Sequence, residues 1–179
     1  KQVATNRNLA LMQLMAESYV QQLTRDADVI AASPVLHMHI RDLSPEGLFA
    51  LQQAFLNLAD LRAGYDQLRY IDHYGVEQIR VNNRNGEPQL VTEDLQVKIH
   101  RDYVKAGLAG DAGSVFVSRF DLNIENGRIE VPFVPMVRVV ASVYVDGEQS
   151  GLVVLNAKAN ELLQHLRAAL PGDTDLVVL

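Results

Sequence analysis

Apolar residues recur at steps of three and four through Met12, Met15, Tyr19, Leu23, Ala27 and Ile30, inside a stretch from Val3 to Ala32 that holds neither Gly nor Pro. That spacing predicts one long helix with a single apolar stripe. Such a helix runs about 45 Å at about 1.5 Å per residue, longer than a small core requires. Ser33-Pro34 then disfavours its continuation, because the residue before a proline is pushed out of the α region. Ser44, followed by Pro45 and Glu46, has the form of an N-cap with proline at the first helical position. Leu48, Leu51, Phe55, Leu58 and Leu61 supply the face of this second helix, which Gly64 closes.

The period then turns strand-like, first over Gln67 to Asp72 and again over Glu77 to Val81, with a tight turn at Asn85-Gly86. Thr92, with Glu93 and Asp94 behind it, predicts another amphipathic helix through Leu95, Ile99, Tyr103 and Val104, ending near Gly107 to Gly110. Three more strands are expected over Ser114 to Asp121, Val137 to Val145 and Gly151 to Asn156, punctuated by Glu125-Asn126-Gly127 and Asp146-Gly147. A last helix, Ala157 to Leu170, stops at Pro171-Gly172, and a new strand starts at Asp175. This order predicts an α+β fold with a mainly antiparallel five-stranded sheet and helices on both faces.

With 179 residues, 48% of them hydrophobic, the chain is long enough for one ordinary domain with appendages. Sixteen basic residues face 22 acidic ones, a formal charge of −6 with neither sign gathered into a block, so no nucleic-acid partner is expected. Cysteine is absent, which excludes disulfides, thiol nucleophiles and thiolate metal sites. No apolar run approaches the roughly 20 residues needed to span a bilayer.

Familiar catalytic frames are missing. No Gly-x-Ser-x-Gly elbow and no glycine-rich phosphate or dinucleotide loop occurs, so neither an enzyme nor a cofactor is expected. In an extended segment His37 and His39 would lie on one side, with Asp42 as a third metal ligand; no helical histidine pair supports them, and solvated loop histidines are preferred. Asp72-His73 resembles half an acid–base pair, but neighbours in a strand point to opposite faces, and a strand end entering a turn is preferred. The informative cluster is Ser118 to Asn123 with Pro132 to Arg138: Arg119, Asp121 and Arg138 near strand ends could hold a small acid or zwitterion. Tyr70, Tyr103, Phe133 and Tyr144 are the aromatic candidates for the same pocket, against the ordinary alternative of filling a core.

The stretch from Tyr65 to Asn156 resembles the extracytoplasmic, PAS-like sensor fold called Cache, or PDC, found in histidine kinases, diguanylate cyclases and chemoreceptors. The likeness is carried by Tyr65 to Asp72 and Glu77 to Val81 with Asn85-Gly86 behind them, by His100 to Val104, by Gly113 to Ser118, and by Gly147 to Gly151 leading into Leu152 to Asn156. The first helix is similar to the family's stalk. The Arg-x-Trp-Tyr signature of the amino-acid-binding tandem type is absent, because the chain has no tryptophan.

The resemblance implies a stalk over residues 1–34, a sensor module over 35–170, and in 171–179 the start of a second module, as in the membrane-distal half of a double-Cache receptor. It implies a periplasmic position in a membrane-anchored receptor, a carboxylate or amino-acid-like small-molecule partner, and a homodimer whose seam along the first helix takes in Leu9, Met12 and Tyr19. The alternative is a ligand-free relay module of the same kind of receptor, its pocket filled by its own aromatic side chains.

Overall fold

The computed structural model describes residues 2–170 except 63, 85, 123, 126, 127, 130 and 132. The chain opens with three helices, α1 (Gln2–Ala31), α2 (Pro34–Asp42) and α3 (Pro45–Leu61). Next come β1 (Tyr65–Asp72), β2 (Glu77–Arg84), β3 (Glu87–Val91), α4 (Asp102–Leu108), β4 (Val115–Val117) and β5 (Asp121–Leu122). A small ribbon, β6 (Ile124–Glu125) with β7 (Arg128–Ile129), precedes the long strands β8 (Pro135–Val145) and β9 (Glu148–Lys158), and α5 (Asn160–Ala168) follows.

Seven strands make one antiparallel sheet in the order β3-β2-β1-β9-β8-β4, with β5 also pairing on β8. On its inner face Leu68, Tyr70, Ile79, Val139, Val153 and Leu155 meet Leu23 and Ala27 of α1, Leu36 of α2 and Leu51 and Phe55 of α3. Each fully buried leucine, isoleucine, valine or phenylalanine among them contributes about 1.5–3 kcal/mol. The outer face is thinner: Ile71, Val140, Leu152 and Val154 pack under Val104 of α4. Gly107 lets α4 lie this close, since a Cβ there would sit 2.6 Å from Val140 Cγ1 and 2.8 Å from Leu152 Cδ2.

The stalk helix is part of this core. Its upper half carries the predicted stripe inward, and Asp26 ties it to the sheet by accepting two hydrogen bonds from Arg62, at 2.9 and 3.2 Å, and one from the Tyr65 hydroxyl. Tyr19 turns inward too, donating its hydroxyl proton to the Lys158 carbonyl at 2.8 Å.

Three departures from the sequence pattern have physical causes. Ser33-Pro34 ends one helix and starts another, Ser33 Oγ accepting the Leu36 amide just as Ser44 Oγ accepts that of Gly47. The helix expected from Thr92 forms only from Asp102, because the preceding segment hangs on β2. There Val76 bridges Val97, the Glu77 amide donates to the Gln96 carbonyl, and Glu77 Oε2 accepts the Gln96 amide, each bond 3.0 Å long. The sheet exceeds five strands because β3, an edge strand containing Pro88, has little buried alternation to reveal it and because β5 pairs separately on β8. Asn85, Asn126, Gly127, Pro132 and the expected second-module start over 171–179 lie outside the described residues.

Candidate functional site

Strand register places a polar row on the outer face. Gln67 pairs with Asn82 on β2 and with Asn156 on β9, and Asn156 pairs with Arg138 on β8. Cross-strand partners share a face, so Asn82, Gln67, Asn156 and Arg138 cross four strands in line. Two residues along, Arg80, Arg69, Val154 and Val140 make the next row. Arg138, Asn156 and Arg69 are only 7%, 2% and 6% exposed, in a region where apolar side chains are the rule. Asn156 Nδ2 donates to Gln67 Oε1 at 3.1 Å, and Asn156 Oδ1 has no hydrogen-bond partner.

Arg138 is the centre of a cleft of about 710 Å³ bounded by α4 and the segment Phe116 to Asp121. Its backbone is fixed by Ser118, whose Oγ accepts the Arg138 amide at 2.9 Å and whose amide donates to the Arg138 carbonyl at 2.8 Å. The guanidinium carbon lies 5.9 Å from the Tyr103 ring centre, and Arg101 approaches the same ring at 5.9 Å. The nearest carboxylate oxygen is that of Asp121, at 3.7 Å, beyond hydrogen-bond reach. Burial pulls the Arg138 guanidinium below the ordinary arginine value; Tyr103 and Asp121 oppose that pull, and the Arg69 and Arg101 charges reinforce it.

Beside this cleft Glu77, 1% exposed, takes both neighbouring guanidiniums: Arg69 Nε at 3.1 Å and Arg80 Nη1 at 2.9 Å. Arg80 also donates to the Asp94 carbonyl, so the same cluster holds the strap of residues 92–101.

Of the seven residues singled out in the sequence, Tyr103, Arg119, Asp121 and Arg138 line this one cleft. Tyr70 lies on the opposite face, in the inner core, its hydroxyl donating to the Ser150 carbonyl at 3.0 Å. Tyr144 is on the outer face but six residues from Arg138, about 20 Å along a strand. Its hydroxyl donates to the Gly110 carbonyl and pins the end of α4. Phe133 is 66% exposed and stands outside the cleft. Sequence reasoning passed over Gln67, Arg69, Glu77, Arg80, Arg101 and Asn156. The available signal was polar and charged residues at alternate positions of strands that are otherwise apolar on both faces.

The histidine pair is not arranged as expected. His37 and His39 sit in α2, where residues two apart point to different sides. His37 Nε2 pairs with the Ala31 carbonyl at 2.8 Å and His39 is buried. Among the described residues no group of three His, Asp or Glu is placed to hold a metal. Asp72 ends β1 and accepts the Tyr74 and Val76 amides, a turn-forming role. Among the same residues no helix is long and apolar enough to cross a membrane.

The fold has solved relatives. A domain of a putative sensory box/GGDEF protein from Vibrio parahaemolyticus is 22% identical, with a TM-score of 0.80 over 90% of this chain and 61% of its own. The ligand-binding domain of the Campylobacter jejuni chemoreceptor Tlp3, solved in complex with 4-methylisoleucine, is 15% identical, with a TM-score of 0.68 over 96% of this chain and 64% of its own. The sensor domain of the V. cholerae histidine kinase DctB is 11% identical, with a TM-score of 0.66 over 91% and 58%. The chain thus spans less than two thirds of each. No curated protein matches it by sequence. The model of the bacterial histidine kinase sensor domain matches residues 4–171, and with the Cache-type sheet and stalk described above, the chain belongs to that family of sensor domains.

Proposed function

We propose that the domain binds a small carboxylate-bearing molecule on the outer sheet face, in the cleft centred on Arg138, as the extracytoplasmic part of a membrane receptor. The observation that carries it is the guanidinium of Arg138. A charge as buried as this one ordinarily has a close, hydrogen-bonded counter-ion. Here the nearest carboxylate stands 3.7 Å away and is itself 56% exposed, which leaves the planar fork open to a ligand carboxylate. Tyr103 offers a ring wall, and Arg119 and Asp121 reach in from the rim.

Occupancy reaches the stalk through shared strands. β1 and β9 carry Gln67 and Asn156 toward the cleft and Leu68 and Leu155 toward the inner core, where α1 packs. A ligand that favours one setting of this sheet shifts the stalk by its differential affinity for the two settings. The stalk seam of a dimer falls on Leu11 and Leu14, which are 48% and 63% exposed, rather than on Tyr19, which is used internally. The greater length of the solved relatives supports a second module in the whole receptor.

The test is a thermal-unfolding screen against carboxylates, amino acids, amines and nucleobases, repeated on Arg138→Gln. A dose-dependent rise lost in the variant supports a sensor. No rise with any class favours a ligand-free relay.

A further inference from the structure

We infer that the ligand of this site carries at least two negative charges, one held by Arg138 and the other by Arg101, the two guanidiniums that line the cleft on either approach to the Tyr103 ring. The inference rests on the assignment of the Arg138 cleft as the ligand site and narrows its chemistry. Its first support is a surplus of cations. Arg69, Arg80, Lys98, Arg101 and Arg138 gather on one patch of the outer face, while the carboxylates facing them are Glu77, Asp121 and the fully exposed Asp102 at the rim. Burial lowers the Lys98 amine, and the Arg69, Arg101 and Arg80 charges lower it further against the pull of Glu77. These groups therefore feel one another.

Glu77 cannot absorb this surplus. One carboxylate is divided between two guanidiniums, and Oε2 also accepts the Gln96 amide. Arg69, 6% exposed, shares that carboxylate with Arg80 and donates as well to the neutral Gln67 Oε1. Placement matches the charge count. Arg69 and Arg138 face the same side from β1 and β8, two strand spacings apart and offset by two residues, so their backbones stand about 12 Å apart. Asn156, the cross-strand partner of Arg138, keeps a buried Oδ1 that lacks a hydrogen-bond partner.

The same cluster selects against a zwitterion. An ammonium group entering here meets Arg101, Arg119 and Arg138 against two exposed carboxylates, Asp102 and Asp121, whereas a second anionic group meets the net positive charge of the lining. A dicarboxylate and a phosphate share the required chemistry.

The test is a calorimetric titration of the folded domain with a ladder of related anions, butyrate, succinate and tricarballylate, and with inorganic phosphate and L-valine. The expected result is affinity rising about tenfold or more from butyrate to succinate and no binding of L-valine, with the rise weakened by added salt. Whether succinate and tricarballylate or phosphate binds tighter distinguishes the two sources of charge. Arg138→Gln is expected to abolish binding. Arg101→Gln, at an exposed rim position that leaves the fold intact, is expected to narrow the gap between succinate and butyrate. If butyrate or L-valine binds as tightly as succinate and Arg138→Gln removes that binding, the charge inference falls and the site stands. If no anion binds, or binding is indifferent to Arg138→Gln, both fall together.

Discussion

Arg69 Nε lies 3.1 Å from Glu77 Oε1, and the two side chains are 7% and 0% exposed. With Arg80 on its other oxygen, Glu77 is the one buried carboxylate balancing two buried guanidiniums. Glu77→Gln keeps the shape and removes the charge. It is expected to cost about 3–5 kcal/mol, because uncompensated buried charge is the expensive outcome. Urea unfolding measures the loss, and hydrogen exchange at the Gln96 amide should accelerate with it. A cost below about 1 kcal/mol would mean that water already reaches the cluster.

Gly107→Ala tests how closely α4 must pack. The added Cβ would lie 2.6 Å from Val140 Cγ1 and 2.8 Å from Leu152 Cδ2, so α4 must lift or the sheet must give. Overpacking of this kind costs about 1–3 kcal/mol. Because Tyr103 rides on the same helix, anion affinity is expected to fall even at temperatures where the variant remains folded. Unchanged affinity would separate the α4 wall from the site.

His39 makes stability fall on the acid side. Burial holds its pKa below the ordinary 6.5, and its Nδ1 has no hydrogen-bond partner. The unfolded chain therefore takes up this proton at higher pH than the folded one. The contribution is complete above about pH 6.5, declines below it, and is gone once pH has fallen through the lower folded value. Denaturation midpoints of the wild type should drop between about pH 7 and pH 5 relative to His39→Leu, which has no such group. Parallel curves would place the titration elsewhere.

Much of this fold was legible because its signals are local. Ser44-Pro45-Glu46 marked the start of α3 correctly, and Asp146-Gly147 marked the turn between the two longest strands. Ser33-Pro34 carried the same N-cap chemistry as Ser44-Pro45 but was read only as a stop, and α2 was missed with it. The segment from Thr92 was misread because its alternatives to helix are long-range: Glu77 and Gly75 take its backbone groups from another part of the chain. The site was half legible for a related reason. Arg138, Asp121 and Tyr103 stand near element ends where function is commonly sought. Arg69 and Asn156 sit mid-strand, and only sheet register brings Asn156 beside Arg138 and Arg69 into the next row of the same face.

The stalk offers a separate prediction. Leu11 and Leu14 are exposed on α1 at a spacing that places them on one side of the helix. Leu14→Glu is expected to weaken self-association about tenfold or more in sedimentation equilibrium, while leaving the unfolding midpoint of the monomer within about 0.5 kcal/mol of wild type. Equal association constants for the two proteins would exclude this face from the seam.

The central claim is that ligand binds on the outer face around Arg138. It is tested most directly by following the backbone amides of the isotopically labelled domain by NMR as the tightest-binding anion of the carboxylate series is added. The account predicts shifts concentrated at Gln67, Tyr103, Ser118, Arg138 and Asn156, with smaller ones running into α1. Shifts confined instead to the cleft between α2 and the strand turns, around His39, Tyr74 and Asp146, would contradict it.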